Sequence, residues 1–317
     1  MILLTTIYVK ECESNDELSI NKKIPKVINQ IIIKIKKKVN IITKKQIDKN
    51  YIYIIPNVNN QNVQKRLQKK LIREQKDIQI VLSKKIKSLN LQFRKARIID
   101  GKRVKKYAIE EILKYIVNLS QNKNQKLQFQ DIYFLQKEHN FETIYMIESL
   151  KDKVKTINII TNDIRKYKKI EDNLYNEGYL ITVSNNKKKS LKKAKIIINM
   201  DFLKEELSSY IINRNSIIIN FTNEKIDNLR GFEGIIINSI KIDMKEEIKQ
   251  YFKTNNLYYK FDNLDLYESI SDTRKLEKQI DKIKEDEVKV IELIGNNGKI
   301  SEKEPLFHQI FLTNIKN

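Results

Sequence analysis

The stretch from Thr156 to Asp201, TINIITNDIRKYKKIEDNLYNEGYLITVSNNKKKSLKKAKIIINMD, decides the fold. Residues 156–161 are a short apolar run that stops at the turn-forming pair Asn162-Asp163, as a buried strand does. Over 163–177 the residues Ile164, Tyr167, Ile170 and Leu174 recur at helical spacing. Asp163 is placed to cap that helix and Gly178 to end it in a left-handed turn. A second strand follows at 179–184, a helix at 188–194 and a third strand at 195–199. Strands that alternate with helices at this pace predict a parallel sheet with helices on both faces.

The same alternation extends outward from this stretch. Strands are expected at 132–136, 216–221 and 234–240, with helices at 141–153 and 203–212. Residues 131–242 thus read as an α/β domain with a doubly wound, mostly parallel sheet. Upstream, 1–98 reads as a small N-terminal α/β domain with strands at 2–9, 51–55 and 77–82. A basic helix there carries Val63, Leu67 and Leu71. Residues 24–38 fit a helix, yet Ile31, Ile33 and Ile35 also alternate as in a strand, and both readings stay open. Residues 99–130 read as a connecting helix, with Val104, Ala108, Ile112, Tyr115, Ile116 and Leu119 on one face and Asp100 as its cap, followed by a polar linker over 120–130. Residues 243–317 read as a helical C-terminal tail, in which Leu276, Ile280, Ile283, Val290, Ile291 and Ile294 fall mostly on one side and Gly295 ends the run.

Composition narrows the function classes. A chain of 317 residues with 40% apolar content can bury two cores. No apolar run reaches the roughly 18–20 residues that span a bilayer, so no membrane partner is expected. The apolar start, Met1 to Val9, lacks a basic leader and reads as a first strand, which makes the cytoplasm the expected compartment. The single cysteine, Cys12, excludes an internal disulfide. Two distant histidines, His139 and His308, argue against a metal site. The net charge of +22 is carried almost wholly by Lys, with abundant Ile and Asn beside it. That pattern reads as compositional drift more than as a nucleic-acid face, because base readout and bidentate phosphate contacts use Arg. Nucleic acid is therefore a partner that is not favoured.

In an open parallel sheet, ligands sit beyond the carboxyl ends of the strands. The candidate binding residues there are Asn162, Asp163, Arg165, Ser184, Asn185, Asn199, Asp201 and Asn220. An amide offers both a donor and an acceptor, so a row of Asn can grip a ribose or a carboxamide without net charge. No catalytic residue is assigned.

The run Ile159-Ile160-Thr161-Asn162-Asp163, with Arg165 two residues on, and the run Ala194-Lys195-Ile196-Ile197-Ile198-Asn199-Met200-Asp201 carry a resemblance. They are similar to the nucleotide-binding half of shikimate dehydrogenase and glutamyl-tRNA reductase. The resemblance implies a Rossmann-like domain, a separate N-terminal α/β domain, and NAD or NADP as cofactor. One departure weighs against that cofactor. The loop after the first strand of the domain reads Gln136-Lys137-Glu138-His139-Asn140-Phe141, without the glycines that let a backbone approach a pyrophosphate. The expected role is binding or regulatory, for a nucleotide-like small molecule. The alternatives are an NAD(P)-dependent oxidoreductase and a Lys-rich nucleic-acid-binding protein.

Overall fold

The computed structural model describes residues 5–12, 18, 25–73, 78–89, 97–120, 127–271 and 276–312. In chain order the elements begin with β1 (Thr5–Glu11), α1 (Lys26–Lys38), β2 (Thr43–Ile47), β3 (Asn50–Ile55), α2 (Gln61–Arg73), β4 (Ile78–Leu82), α3 (Lys84–Lys87) and β5 (Arg97–Ile99). There follow α4 (Lys102–Tyr107), α5 (Ile109–Leu119), β6 (Asp131–Leu135), α6 (Phe141–Leu150), β7 (Thr156–Ile160), α7 (Ile164–Asn176) and β8 (Ile181–Ser184). Next are β9 (Ile196–Asn199), α8 (Lys204–Ser208), β10 (Ile217–Asn220), β11 (Ile235–Ile237) and β12 (Ser239–Asp243). The chain closes with α9 (Glu246–Thr254), α10 (Asn263–Ile270), α11 (Leu276–Glu285), β13 (Lys289–Gly295), β14 (Gly298–Lys299) and α12 (Pro305–Leu312).

Two compact units result: residues 1–102 with 245–272, and residues 103–244 with 273–317. The segment 243–317, read from sequence as one tail, is shared between them. No helix among the described residues is long and apolar enough to cross a membrane.

The second unit holds a six-stranded sheet in the order β11-β10-β9-β6-β7-β8, parallel throughout. Counted from β6 this is the order 3-2-1-4-5-6 of a Rossmann-like doubly wound sheet, with its crevice at the carboxyl ends of β6 and β9. Its residues bury both faces. Leu135, Ile160, Ile197, Ile218 and Ile236 pack on one side with Leu191, Phe202 and Leu207. On the alternate positions, Phe134, Ile159, Ile198, Ile219 and Ile237 are equally withdrawn from water. Burying each of these side chains contributes about 1.5–3 kcal/mol before entropy is counted. Gly178 has the expected left-handed backbone, φ +91°, just after α7.

The first unit is also α/β. Its sheet runs β2-β3-β1-β4-β5, parallel except where β2 pairs antiparallel with β3. Val63, Leu67 and Leu71 of α2 enter its core beside Tyr53, Ile80 and Leu82. Gly101, φ +71°, sits where a Cβ would come within 2.5 Å of the Leu264 Cβ.

Several expectations need correction. The ambiguous 24–38 segment is helical, as α1. The strands β2 and β5 were not anticipated: β2 is Lys-rich with one partner strand, and β5 is only three residues long. The connecting helix is broken at Ala108 (φ −79°, ψ 14°) into α4 and α5, and residues 121–126 of the expected linker lie outside the described residues. Residues 188–194 form turns rather than a helix, and the expected helix at 203–212 shortens to α8. The expected strand at 234–240 divides, with β11 in the parallel sheet and β12 pairing antiparallel with β13. Residues 289–295 are that strand β13, not helix, and Gly295–Gly298 forms the turn into β14. Helical and strand spacing coincide over so short a run of Val, Ile and Leu, and β-branching favours the strand. Asp163 stands at the start of α7 without a side-chain cap; its carboxylate pairs with Lys166 at 2.9 Å.

Candidate ligand site at the carboxyl edge of the parallel sheet

The crevice opens where β6 runs into its loop. Gln136, 2% exposed, is the first residue after β6. Its Nε2 donates to Asp201 Oδ2 at 2.5 Å, and its Oε1 accepts from the Thr143 hydroxyl. The backbone N–H of Lys137 donates to Asp201 Oδ1 at 2.7 Å. Burial pushes the Asp201 carboxyl above its ordinary pKa, and the backbone N–H groups of Lys137 and Glu138 and the Lys137 charge pull against that rise. A backbone donor that would face a pyrophosphate in a dinucleotide-binding loop, Lys137 N–H, is therefore taken by a side chain of the protein. The start of α6 is filled as well, because the Asn140 side chain accepts from Glu142 N–H at 2.8 Å. Lys137 Nζ, the loop's cation, pairs with Glu206 at 2.7 Å.

The structure divides the eight expected site residues into two sets. Asn199 and Asn220 are buried, at 0% and 2% exposure, and their amides are engaged inside the protein. Asn199 Nδ2 donates to the Phe202 carbonyl at 2.8 Å and to Asn220 Oδ1 at 3.3 Å, while its Oδ1 accepts from Phe202 N–H. Asn220 Nδ2 donates to the Glu224 carbonyl at 2.8 Å and to Asn238 Oδ1 at 2.9 Å. Asn238 Nδ2 donates in turn to Asn296 Oδ1 at 2.6 Å, and Asn296 to the Asp227 carbonyl. These amides form a structural ladder rather than a row of grips for a ribose. Asp201 joins the inward set through the loop contacts above.

Sequence reasoning missed what holds the ladder from below. Lys105 of α4, 6% exposed, donates from Nζ to the carbonyls of Asn220 at 2.5 Å and Asn238 at 2.6 Å, and its ammonium lies 5.2 Å from the centre of the Phe221 ring. A signal for the ladder was present. The tetrapeptide Ile-Ile-Ile-Asn occurs at 196–199, 217–220 and 235–238. Parallel pairing in register sets Asn199 against Asn220 and Ile219 against Ile237, which brings Asn238 beside Asn220.

The outward set is Asn162, Asp163, Arg165, Ser184 and Asn185, at the ends of β7 and β8. Asn162, Arg165 and Asn185 are exposed, and Lys187, Lys188 and Lys189 continue the exposed edge. Ser184 Oγ shares a hydrogen bond with Ser190 at 2.8 Å. His139 packs edge-on to Phe141 and lies 5.5 Å, ring to ring, from Tyr167, whose hydroxyl burial pushes up to about 12. Among the described residues, no group of three or more His, Cys, Asp or Glu is placed to hold a metal ion.

The first unit contains another buried polar cluster that sequence reasoning did not anticipate. Asp265 of α10 is 1% exposed and accepts from Lys87 Nζ on both oxygens, at 3.1 and 2.8 Å. Burial pushes its carboxyl up to about 7, against the pull of Lys87. A carboxyl whose folded pKa stands above its unfolded value keeps a proton that the unfolded chain releases. This group therefore favours the folded state at acidic pH and loses that advantage as pH rises from about 4 to about 7, by at most about 4 kcal/mol. Urea unfolding across this window is expected to show a steeper fall in stability with rising pH for the wild type than for Asp265→Asn. Identical slopes would contradict the assignment.

No protein-family model matches the chain, and no curated protein matches it in sequence. Among solved structures, L-tryptophan dehydrogenase from Nostoc punctiforme is similar over 89% of this chain and 79% of that one, at 10% identity and a TM-score of 0.29. A likeness at that level carries no argument, so the strand order and the site geometry stand by themselves.

Proposed function

We propose that this is a Rossmann-like binding protein with a regulatory role, which takes a nucleotide-like anion at the exposed ends of β7 and β8 and does not transfer hydride. The observation that carries the reading is the 2.7 Å hydrogen bond from Lys137 N–H to Asp201, which sets a carboxylate where a dinucleotide would place its phosphates. The exposed Arg165, Asn162, Asn185 and Lys187–Lys189 supply cationic and amide groups beside the neighbouring strand ends. Thermal-shift titration with AMP and ATP tests it. Saturable stabilisation by a mononucleotide, weakened about tenfold or more in Arg165→Ala (about 1.4 kcal/mol), is the expected result. No response to any mononucleotide, or NAD(P)-dependent turnover of a hydroxy- or amino-acid substrate, would sink the reading.

A further inference from the structure

The helix α1 exposes what an amphipathic helix of a globular unit normally hides. Ile28, Ile31 and Ile35 lie one turn apart along one stripe and are 51%, 52% and 51% exposed. Val27 at 69% and Val39 at 50% extend the stripe at its two ends. On the opposite side Ile33 is 6% exposed, so the helix is anchored by one face and bare on another. Lys34 and Lys38 follow Ile31 and Ile35 by three residues each, and both are exposed along the edge of the stripe.

The sequence that carries this stripe is strongly basic. Residues 25–73 contain a single acidic residue, Asp48. The neighbouring α2 contributes Lys65, Arg66, Lys69, Lys70 and Arg73 and no carboxylate. Its Arg66 reaches the end of α1, donating to the Val39 carbonyl at 3.2 Å, which sets that basic helix beside the end of the stripe. Lys36 lies below the ordinary lysine range through burial and the nearby charge of Lys45.

An aliphatic stripe flanked by lysines narrows the occupant. A second copy of a chain carrying +22 would bring like charge against like. A nucleic acid would meet the lysines but leave the isoleucines in water. An anionic bilayer surface answers both halves, with headgroup charge for the lysines and an acyl boundary for the branched side chains. We propose that the face formed by α1 and α2 docks on an anionic phospholipid surface, with Ile28, Ile31 and Ile35 entering the acyl boundary. This departs from the expectation of no membrane partner, which rested on the lack of a spanning segment. A helix that lies in the interface needs no such length.

Flotation with vesicles of phosphatidylcholine mixed with phosphatidylserine, and with pure phosphatidylcholine, tests the proposal on the full chain. The wild type is expected to float with the mixed vesicles and not with the neutral ones, and to be released by high salt. The variant Ile28→Asn/Ile31→Asn/Ile35→Asn, checked for unchanged thermal unfolding, is expected to lose at least tenfold of the partitioning. Ile211→Asn, which changes an equally exposed isoleucine at 53% in the other unit, should leave it unchanged. Absence of flotation, equal flotation with neutral vesicles, or full retention by the triple variant would each overturn the proposal. So would duplex DNA binding that outcompetes the vesicles and survives the triple substitution.

Discussion

Asn220→Ala is expected to destabilise the protein by about 3–5 kcal/mol in urea unfolding, a large share of what a domain possesses. The size follows from the number of groups that lose a partner. The Asn220 amide donates to the Glu224 carbonyl and to Asn238, and accepts from Asn199 and from both the backbone and the hydroxyl of Thr222. Each buried group left unpaired costs about 1–3 kcal/mol, and a chain of polarised amides loses more than the sum of its pairs suggests. The double substitution Asn199→Ala/Asn220→Ala should cost less than the two singles added together, because the second change removes a group the first had orphaned. Asn185→Ala, at the exposed end of β8, supplies the contrast and should stay within about 0.5 kcal/mol of wild type. Equal effects at 185 and 220 would mean that the ladder does not hold the sheet edge as described.

This contrast also marks how far the sequence could be read. The parallel sheet was legible because Ile-rich runs of strand length alternate with helical spacing, and a strand such as β9, buried at every position, has no polar face to confuse the pattern. The strand-end positions of Asn199 and Asn220 were legible too. Which way their amides point was not, since that depends on which strands are neighbours. The order β9-β10-β11 places three Ile-Ile-Ile-Asn runs side by side, and only then do the amides meet each other rather than a ligand. Asp201 is a similar case. It reads as a polar residue two positions past a strand, and only the fold brings it against the N–H of Lys137, 64 residues earlier. The strand β13 reads as helix in sequence because Val290, Ile291 and Ile294 fit a helix stripe, while their partner strand, β12, lies about 50 residues away and cannot be seen locally.

The second large effect concerns the first loop of the Rossmann-like sheet. NAD and NADP are expected to bind at least a hundredfold more weakly than to a glycine-loop domain. One backbone donor of the loop, Lys137 N–H, is engaged by Asp201, a second, Glu142 N–H at the start of α6, is engaged by Asn140, and each charge-assisted hydrogen bond forgone is worth about 1.5–3 kcal/mol. Two such losses correspond to about 10²–10⁴ in affinity. The exposed lysines Lys187–Lys189 do not restore this, because screened surface pairs contribute about 0–1 kcal/mol each. Isothermal titration of the full chain with NAD and with NADP tests the account most directly. It predicts no saturable heat at micromolar ligand, whereas a dissociation constant in the low micromolar range for either dinucleotide would contradict it.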